Sequence, residues 1–211
     1  VLPRTQATMG SGRFIFADQA RRVKVRAVDS SLRPYQALDT RVYYVAGYDA
    51  SGVPIIKSRT MMEEVHRFAH QASLIAQEED FDLIHAHDWS SYLAGVAAKL
   101  ASGKPLVLHV HATSYDQAAS DNVDPAVYKI EHEGFVAADR IVAVSQFTRD
   151  VIVNKHHIDP EKVEVVHNGC DTYEPPRHVP SLAAMKEQGY RIVLYHGRIT
   201  IQKGVDYFIR A

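Results

Sequence analysis

Strand-like and helix-like segments alternate along residues 59–166, and this alternation constrains the fold more than any other feature of the chain. Apolar residues at helical spacing predict helices over 59–77 and 90–100. Short apolar runs follow each of them and predict strands over 81–86 and 105–111. Strands separated by helices form parallel sheets covered by helices on both faces. The pattern therefore predicts an α/β fold with a Rossmann-like parallel sheet.

The same pattern continues into the second half of this region. Asp124 is suited to an N-cap, and Pro125 to the first position of the helix that follows it. The run RIVAV at 140–144 predicts a buried strand, and Ser145 predicts the N-cap of the next helix. A last strand is expected at 163–166. We expect these elements to extend the same sheet.

Three expectations concern burial within this sheet and its helices. The run 105–111 has almost no polar alternation, which predicts a central strand buried on both faces. Glu131 lies beside other polar residues on its helix and is expected to face solvent. The pair His156 and His157 stands near a helix end and is expected at the surface, where the helix dipole favours it.

A proline-rich segment divides the chain. Residues 167–180 contain three prolines and no periodic pattern, so we interpret them as a linker between domains. Residues 1–166 would form the first domain, and 181–211 the beginning of a second Rossmann-like domain. Within that beginning, 191–195 (RIVLY) predicts a buried strand, and 202–211 predicts the start of a helix.

Composition indicates an ordinary globular protein and excludes some partners. The chain has 211 residues, 46% of them hydrophobic, and a net charge of −1, which argues against nucleic acid as a partner. The single cysteine, Cys170, indicates a reducing compartment, and we expect a cytoplasmic protein. No apolar run approaches the ~20 residues of a membrane span, so membrane contact would be peripheral. Composition leaves the oligomeric state open.

Candidate chemistry lies at the ends of two predicted strands, where open parallel sheets place their ligand crevice. HAHDW contains His85, His87 and Asp88, and HVHAT contains His109 and His111. His111, His87 and Asp88 are the stronger candidates, because His85 and His109 lie deeper in their strands and are expected to pack or to orient neighbours. The histidines could also converge on zinc with Asp88 as an oxygen ligand, which makes a metal-dependent hydrolase an alternative.

A second candidate site is the turn HGRITIQKG near the end of the chain. It follows an apolar run, and it contains Gly197, which would let the backbone turn, and two cations, Arg198 and Lys203. Two cations before a helix start could neutralise a diphosphate. The turn therefore predicts a phosphate-binding element, and the alternative is a solvated basic loop.

Several segments together resemble the retaining nucleotide-sugar glycosyltransferases of family 4, which are related to bacterial glycogen and starch synthases. In chain order they are FDLIHAHDWSSYLAG, PLVLHVHATSYD, YKIEHEGFVAADRIVAVSQFT, PEKVEVVHNGCD and YRIVLYHGRITIQKGVDYFIRA. The resemblance covers about residues 81–211. It implies a GT-B architecture, in which one Rossmann-like domain carries most of the acceptor site and a second domain binds the nucleotide sugar.

The resemblance also implies a role for each candidate residue. Arg198 and Lys203 would contact the donor diphosphate, and His111 would lie beside the reacting carbon of the donor sugar. His87 and Asp88 would border the acceptor and the cleft. The expected reaction is transfer of a hexose to a saccharide or glycan acceptor with retention of configuration and without a metal or other cofactor.

The remaining family features concern the hinge and the extent of the site. Asn168 and Gly169 would form the hinge between the domains. The family's glycine-rich first loop and its motif with two glutamates are not found, and SYDQAASDN replaces its usual acidic and aromatic loop. We therefore expect these 211 residues alone to be inactive as a transferase. A non-catalytic sugar-binding remnant is a third alternative.

Overall fold

The computed structural model describes residues 26–28, 30, 32, 41–118, 120–169 and 179–211. An antiparallel hairpin, β1 (Arg41–Tyr48) and β2 (Pro54–Thr60), precedes the α/β region. That region consists of α1 (Met61–Glu78), β3 (Ile84–His87), α2 (Trp89–Ser102), β4 (Leu106–Val110), α3 (Ser114–Ala118), α4 (Pro125–Ala137), β5 (Arg140–Ala143), α5 (Gln146–Lys155) and β6 (Val163–Val165).

The four strands β3 to β6 form one parallel sheet in the order β3-β4-β5-β6. Neighbouring strands are consecutive in the chain, and helices connect each pair, because parallel strands need a crossover connection. The α/β class and the parallel sheet flanked by helices are thus confirmed. The strands and helices expected between residues 59 and 166 are present, with small shifts at their ends.

Local capping explains where the helices begin. The Asp124 carboxylate accepts hydrogen bonds from the backbone N–H groups of Ala126 and Val127 at the start of α4. Ser145 accepts from the backbone N–H of Thr148 at the start of α5. Both N-caps match the sequence expectation, and each satisfies N–H groups that the first helical turn leaves unpaired.

The sheet is covered unequally in the described part of the chain. On one face, Leu106, Leu108 and Val110 of β4 are completely buried, and α2 and α4 contact this strand. Val107 and His109, which point the other way, are only partly buried. The expectation that β4 is buried on both faces is therefore wrong for the second face, because no described helix covers it fully.

Close packing of α2 on the sheet depends on Gly95. A Cβ atom added there would lie 2.8 Å from Leu106 Cδ1 and 3.0 Å from Ala86 Cβ. Both distances are shorter than a carbon–carbon van der Waals contact. The glycine therefore lets α2 pack closely against β3 and β4.

The C-terminal segment contains α6 (Pro180–Glu187), a 3-10 turn (Ile201–Lys203) and α7 (Val205–Arg210). The strand expected at 191–195 is wrong, since these residues form no strand and Val193 and Leu194 are exposed. A strand needs hydrogen-bonded neighbours, and no described segment pairs with this one.

The described parts of the expected linker are 167–169 and 179–180; Cys170 and the rest of it lie outside the described residues. None of the described helices is long and apolar enough to cross a membrane.

Candidate functional site

The two strand ends that carry histidines lie side by side. β3 and β4 are parallel neighbours, and their register pairs His87 with His109. His85 and His87 share a strand face, as do His109 and His111, and the rings of His109 and His111 are stacked with centroids 4.4 Å apart. His87 Nδ1 lies 3.1 Å from His111 Nε2, so one of these nitrogens donates a hydrogen bond to the other.

Asp88 joins the ends of the two strands. Its backbone N–H donates to the carbonyl oxygen of His109 at 3.0 Å, and its Oδ1 accepts from the backbone N–H of His111 at 2.9 Å. Its φ of 59° lies in a region that non-glycine residues seldom occupy. The tertiary hydrogen bonds hold this conformation, and its carboxylate positions the His111 backbone instead of capping α2.

Burial and the neighbouring imidazoles lower the pKa of His87 and of His109, which favours the neutral form of both rings. Desolvation lowers the pKa of His87, and the nearby rings of His85 and His111 lower it further, while Asp88 opposes the shift. The pKa of His109 is also lowered, first by desolvation and then by the other three histidines. A neutral imidazole offers one N–H donor and one lone pair, so His87 can relay a hydrogen bond to His111.

Side chains of α3 and α4 hold the loop that follows His111. The carboxylate of Asp116 accepts from both the backbone N–H and the hydroxyl of Thr113, at 2.6 and 2.9 Å. The carboxylate of Glu131 accepts from the backbone N–H and the hydroxyl of Ser114, at 2.7 and 2.5 Å. These four bonds fix the backbone directly after His111.

Glu131 is buried, with 1% of its surface exposed, so the expectation of a solvent-facing side chain is wrong. Burial raises its pKa to about 7, although the two hydrogen bonds from Ser114 favour the charged form. The sequence did contain a signal for this burial. Glu131 lies on the stripe formed by the other buried residues of its helix, which are Val127, Ile130, Gly134 and Phe135.

His156 is also buried, so its predicted surface position is wrong; His157 is exposed as expected. The His156 ring stacks on Tyr128 with a centroid distance of 4.7 Å and meets Phe135 edge-on at 5.0 Å. Its Nε2 lies 3.5 Å from Glu131 Oε2. Burial, reinforced by His132 and His157, lowers its pKa to about 4, so the ring is neutral at pH 7.

The predicted phosphate-binding turn lies at the surface. Arg198 and Lys203 are exposed, and the Tyr195 hydroxyl donates to the carbonyl oxygen of Arg198 at 2.7 Å. The left-handed residue of this segment is Gly204, with φ of 59°, whereas Gly197 does not have a positive φ. The 3-10 turn that ends at Lys203 contacts α3, the helix that follows His111.

The expected hinge residues, Asn168 and Gly169, are exposed and follow β6 after two intervening residues. They lie at the same edge of the sheet as the histidines, because all four strands are parallel. His167 Nδ1 lies 3.1 Å from the carbonyl oxygen of Val144, which holds the beginning of the segment against the end of β5. Their role as a hinge stays a prediction.

Comparison with known proteins gives one family and several relatives. The sequence model described as Glycosyltransferase Family 4 matches residues 18–174. An alpha-maltose-1-phosphate synthase of Mycolicibacterium smegmatis is 32% identical over 150 residues, which cover 66% of this chain and 39% of the relative. A D-inositol 3-phosphate glycosyltransferase of Salinispora arenicola is 34% identical over 146 residues, covering 62% of this chain and 32% of the relative.

The similarity to solved structures is weaker. The Anabaena protein HepE, whose crystal structure is in complex with UDP-glucose, is 20% identical with a TM-score of 0.39, and the match covers 57% of this chain and 32% of that protein. The chain thus spans two fifths or less of the length of these relatives.

Proposed function

Because the chain belongs to glycosyltransferase family 4, we propose that the whole protein transfers a hexose from a nucleotide diphosphate sugar to a saccharide or glycan acceptor. The family match over 18–174 carries this proposal. It favours sugar transfer over the metal-dependent hydrolase and the sugar-binding remnant that the residues alone allow. Transfer would retain the configuration of the sugar, as in the glycogen-synthase-related enzymes that the sequence resembles.

The proposed roles follow from the family resemblance, and contacts at the carboxyl edge of the sheet support them. His111 would lie beside the reacting carbon of the donor sugar. His87 would orient the His111 ring through the 3.1 Å contact between their nitrogens. Asp88 would be a positioning residue, because its carboxylate accepts a hydrogen bond from the backbone N–H of His111 and so holds His111 in place. The exposed face of His87 would border the acceptor.

Leaving-group stabilisation is assigned to the C-terminal turn. Arg198 and Lys203 would neutralise the diphosphate as the glycosidic bond breaks, a role that fixed positive charge can fill without a metal ion. The contact between the 3-10 turn and α3 supports this, because it places the Lys203 segment next to the loop after His111. Bending at Asn168 and Gly169 would close the two domains on the donor.

Charge removal tests the proposal in a chain that includes the complete donor half. Uridine, guanosine and adenosine diphosphate sugars are offered in turn, and nucleotide release is measured with a saccharide acceptor. Arg198→Ala and Lys203→Ala should lower kcat and weaken donor binding together, each by at least tenfold. Lys186→Ala, which removes an exposed cation of α6, should change neither. Unchanged turnover in Lys203→Ala would refute the diphosphate role.

The 211-residue chain alone should turn over none of these donors. The matches span at most 39% of the length of the curated relatives, so the chain corresponds to less than half of a protein of their kind. Measurable release of a nucleotide by this chain would contradict that expectation.

A further inference from the structure

Three histidines of neighbouring strands lie close together on the half-covered face of the sheet, which is the face on which Val107 and His109 are only partly buried. His85 and His87 are two residues apart on β3, and His109 is the register partner of His87 on β4. Each can present one ring nitrogen so that the three atoms all lie within 4.8 Å of one another. Their rings lie 4.4 to 5.5 Å apart between centroids.

His109 carries the second observation. Both of its ring nitrogens are shielded from solvent, and neither has a hydrogen-bond partner among the described residues. An unpaired buried polar atom costs roughly 1–3 kcal/mol, so a well-packed protein seldom leaves two of them on one ring. A ligand that accepts the lone pair of one nitrogen would remove part of this cost.

We propose that His85, His87 and His109 bind one divalent transition-metal ion, with Zn²⁺ the preferred ion. Imidazole nitrogens are suitable ligands for zinc, whereas magnesium and calcium require oxygen ligands. Zinc–nitrogen bonds of about 2.0–2.1 Å place tetrahedral ligand atoms roughly 3.3 Å apart. A metal ion must lie near the plane of each ligand ring, and the His85 and His109 rings are stacked with only 6° between their planes, so the exposed His85 side chain has to turn to reach that spacing. His87 keeps its Nε2 for the ion while its Nδ1 contacts His111.

The proposed site has three protein ligands and leaves a fourth position for water or another molecule. Asp88 is not counted among the ligands, because the group of ligand atoms within 4.8 Å of one another consists of His85, His87 and His109. The site is thus a three-imidazole site, distinct from one built on the Asp88 carboxylate. It does not depend on the proposed transferase function, and binding of the ion can be measured without any activity.

Metal titration of the 211-residue chain tests the proposal. Protein stripped with a chelator and then dialysed against Zn²⁺ should retain one ion per chain by elemental analysis, and excess Mg²⁺ should not displace it. Substitution of Co²⁺ should produce the intense visible absorption of a four-coordinate site. Failure to retain zinc, or its displacement by Mg²⁺, would overturn the assignment.

Variants separate this site from adventitious binding by surface histidines. His85→Gln removes an exposed ligand without disturbing the core and should weaken zinc binding by at least about 100-fold, since even loss of an outer-shell partner costs 10–100-fold. His109→Gln should have a similar effect. His70→Gln, at an exposed histidine of α1, should bind zinc as the unchanged chain does. Equal affinity in His85→Gln and the unchanged chain would refute the site.

Discussion

Glu131→Gln should change the pH dependence of folding in a way that can be calculated from the structure. Burial raises the pKa of Glu131 from 4.5 to about 7. Between these values the unfolded chain is ionised while the folded chain keeps its proton, so the folded state loses stability as the pH rises. A shift of roughly 2.5 units corresponds to about 3 kcal/mol, at 1.36 kcal/mol per unit.

His156 contributes with the opposite sign. Its pKa is lowered from 6.5 to about 4, so the unfolded chain takes up the proton first, and stability is lost as the pH falls from 6.5 to 4. The two contributions oppose each other between pH 4.5 and 6.5, which flattens the profile of the unchanged chain. The unchanged chain and Glu131→Gln both contain His156, so its contribution cancels when the pH profile of the variant is subtracted from that of the unchanged chain. The difference is the contribution of Glu131.

Urea unfolding from pH 4.5 to 8 measures this difference. The free energy of unfolding of the unchanged chain, minus that of Glu131→Gln, should fall by about 3 kcal/mol as the pH rises through the window. Glu133→Gln is the matched control, since Glu133 is an exposed neighbour on the same helix, and its profile should run parallel to that of the unchanged chain. A difference that is constant with pH, or that rises, would refute the reasoning.

Two further predictions concern the packing of α2 and the position of Asp88, which precedes it. Gly95→Ala places a Cβ 3.0 Å from Ala86 Cβ and should lower the free energy of unfolding by about 1–3 kcal/mol in the same urea assay. The control is Gly169→Ala, whose Cβ meets nothing within 4 Å, and it should change the free energy of unfolding by less than about 0.5 kcal/mol. If Gly95→Ala were more stable than the unchanged chain, the higher helix propensity of alanine would outweigh the close contact with Ala86, and the packing argument would be wrong. Asp88→Ala should accelerate hydrogen exchange at the His111 amide, and Asp88→Asn, which keeps an acceptor oxygen, should not; equal protection in both would contradict the positioning role.

Sequence patterns predicted the parts of the fold that depend on local signals. The N-caps Asp124 and Ser145, and the apolar runs of β4 and β5, act over a few residues, so their structures agree with expectation. The run at 191–195 has the same apolar character, yet it forms no strand, because strand formation depends on a neighbour that the pattern does not encode. Coverage of the second face of β4 likewise depends on distant segments.

The candidate site was predictable in its location and less so in its contacts. Two histidine pairs at consecutive strand ends predicted a ligand crevice with His87, Asp88 and His111 as the stronger candidates, and the parallel register brings these three residues together. Burial of Glu131 was missed, because its polar neighbours on α4 concealed its position in the apolar stripe. Burial of His156 depends on aromatic rings from another helix, and no local signal at the end of α5 encodes that contact.

Because the sheet is covered unequally, the side chains that stabilise the fold and the candidate functional side chains lie on opposite faces. The side chains of β4 that face α2 and α4 are fully buried and carry the packing energy, whereas His85, His87 and His109 point to the half-covered face. Substitutions on that face remove little buried apolar surface, so they should cost little stability. A lineage descending from this protein could therefore acquire a different specificity at the strand ends by changes on one face while the fold stays intact.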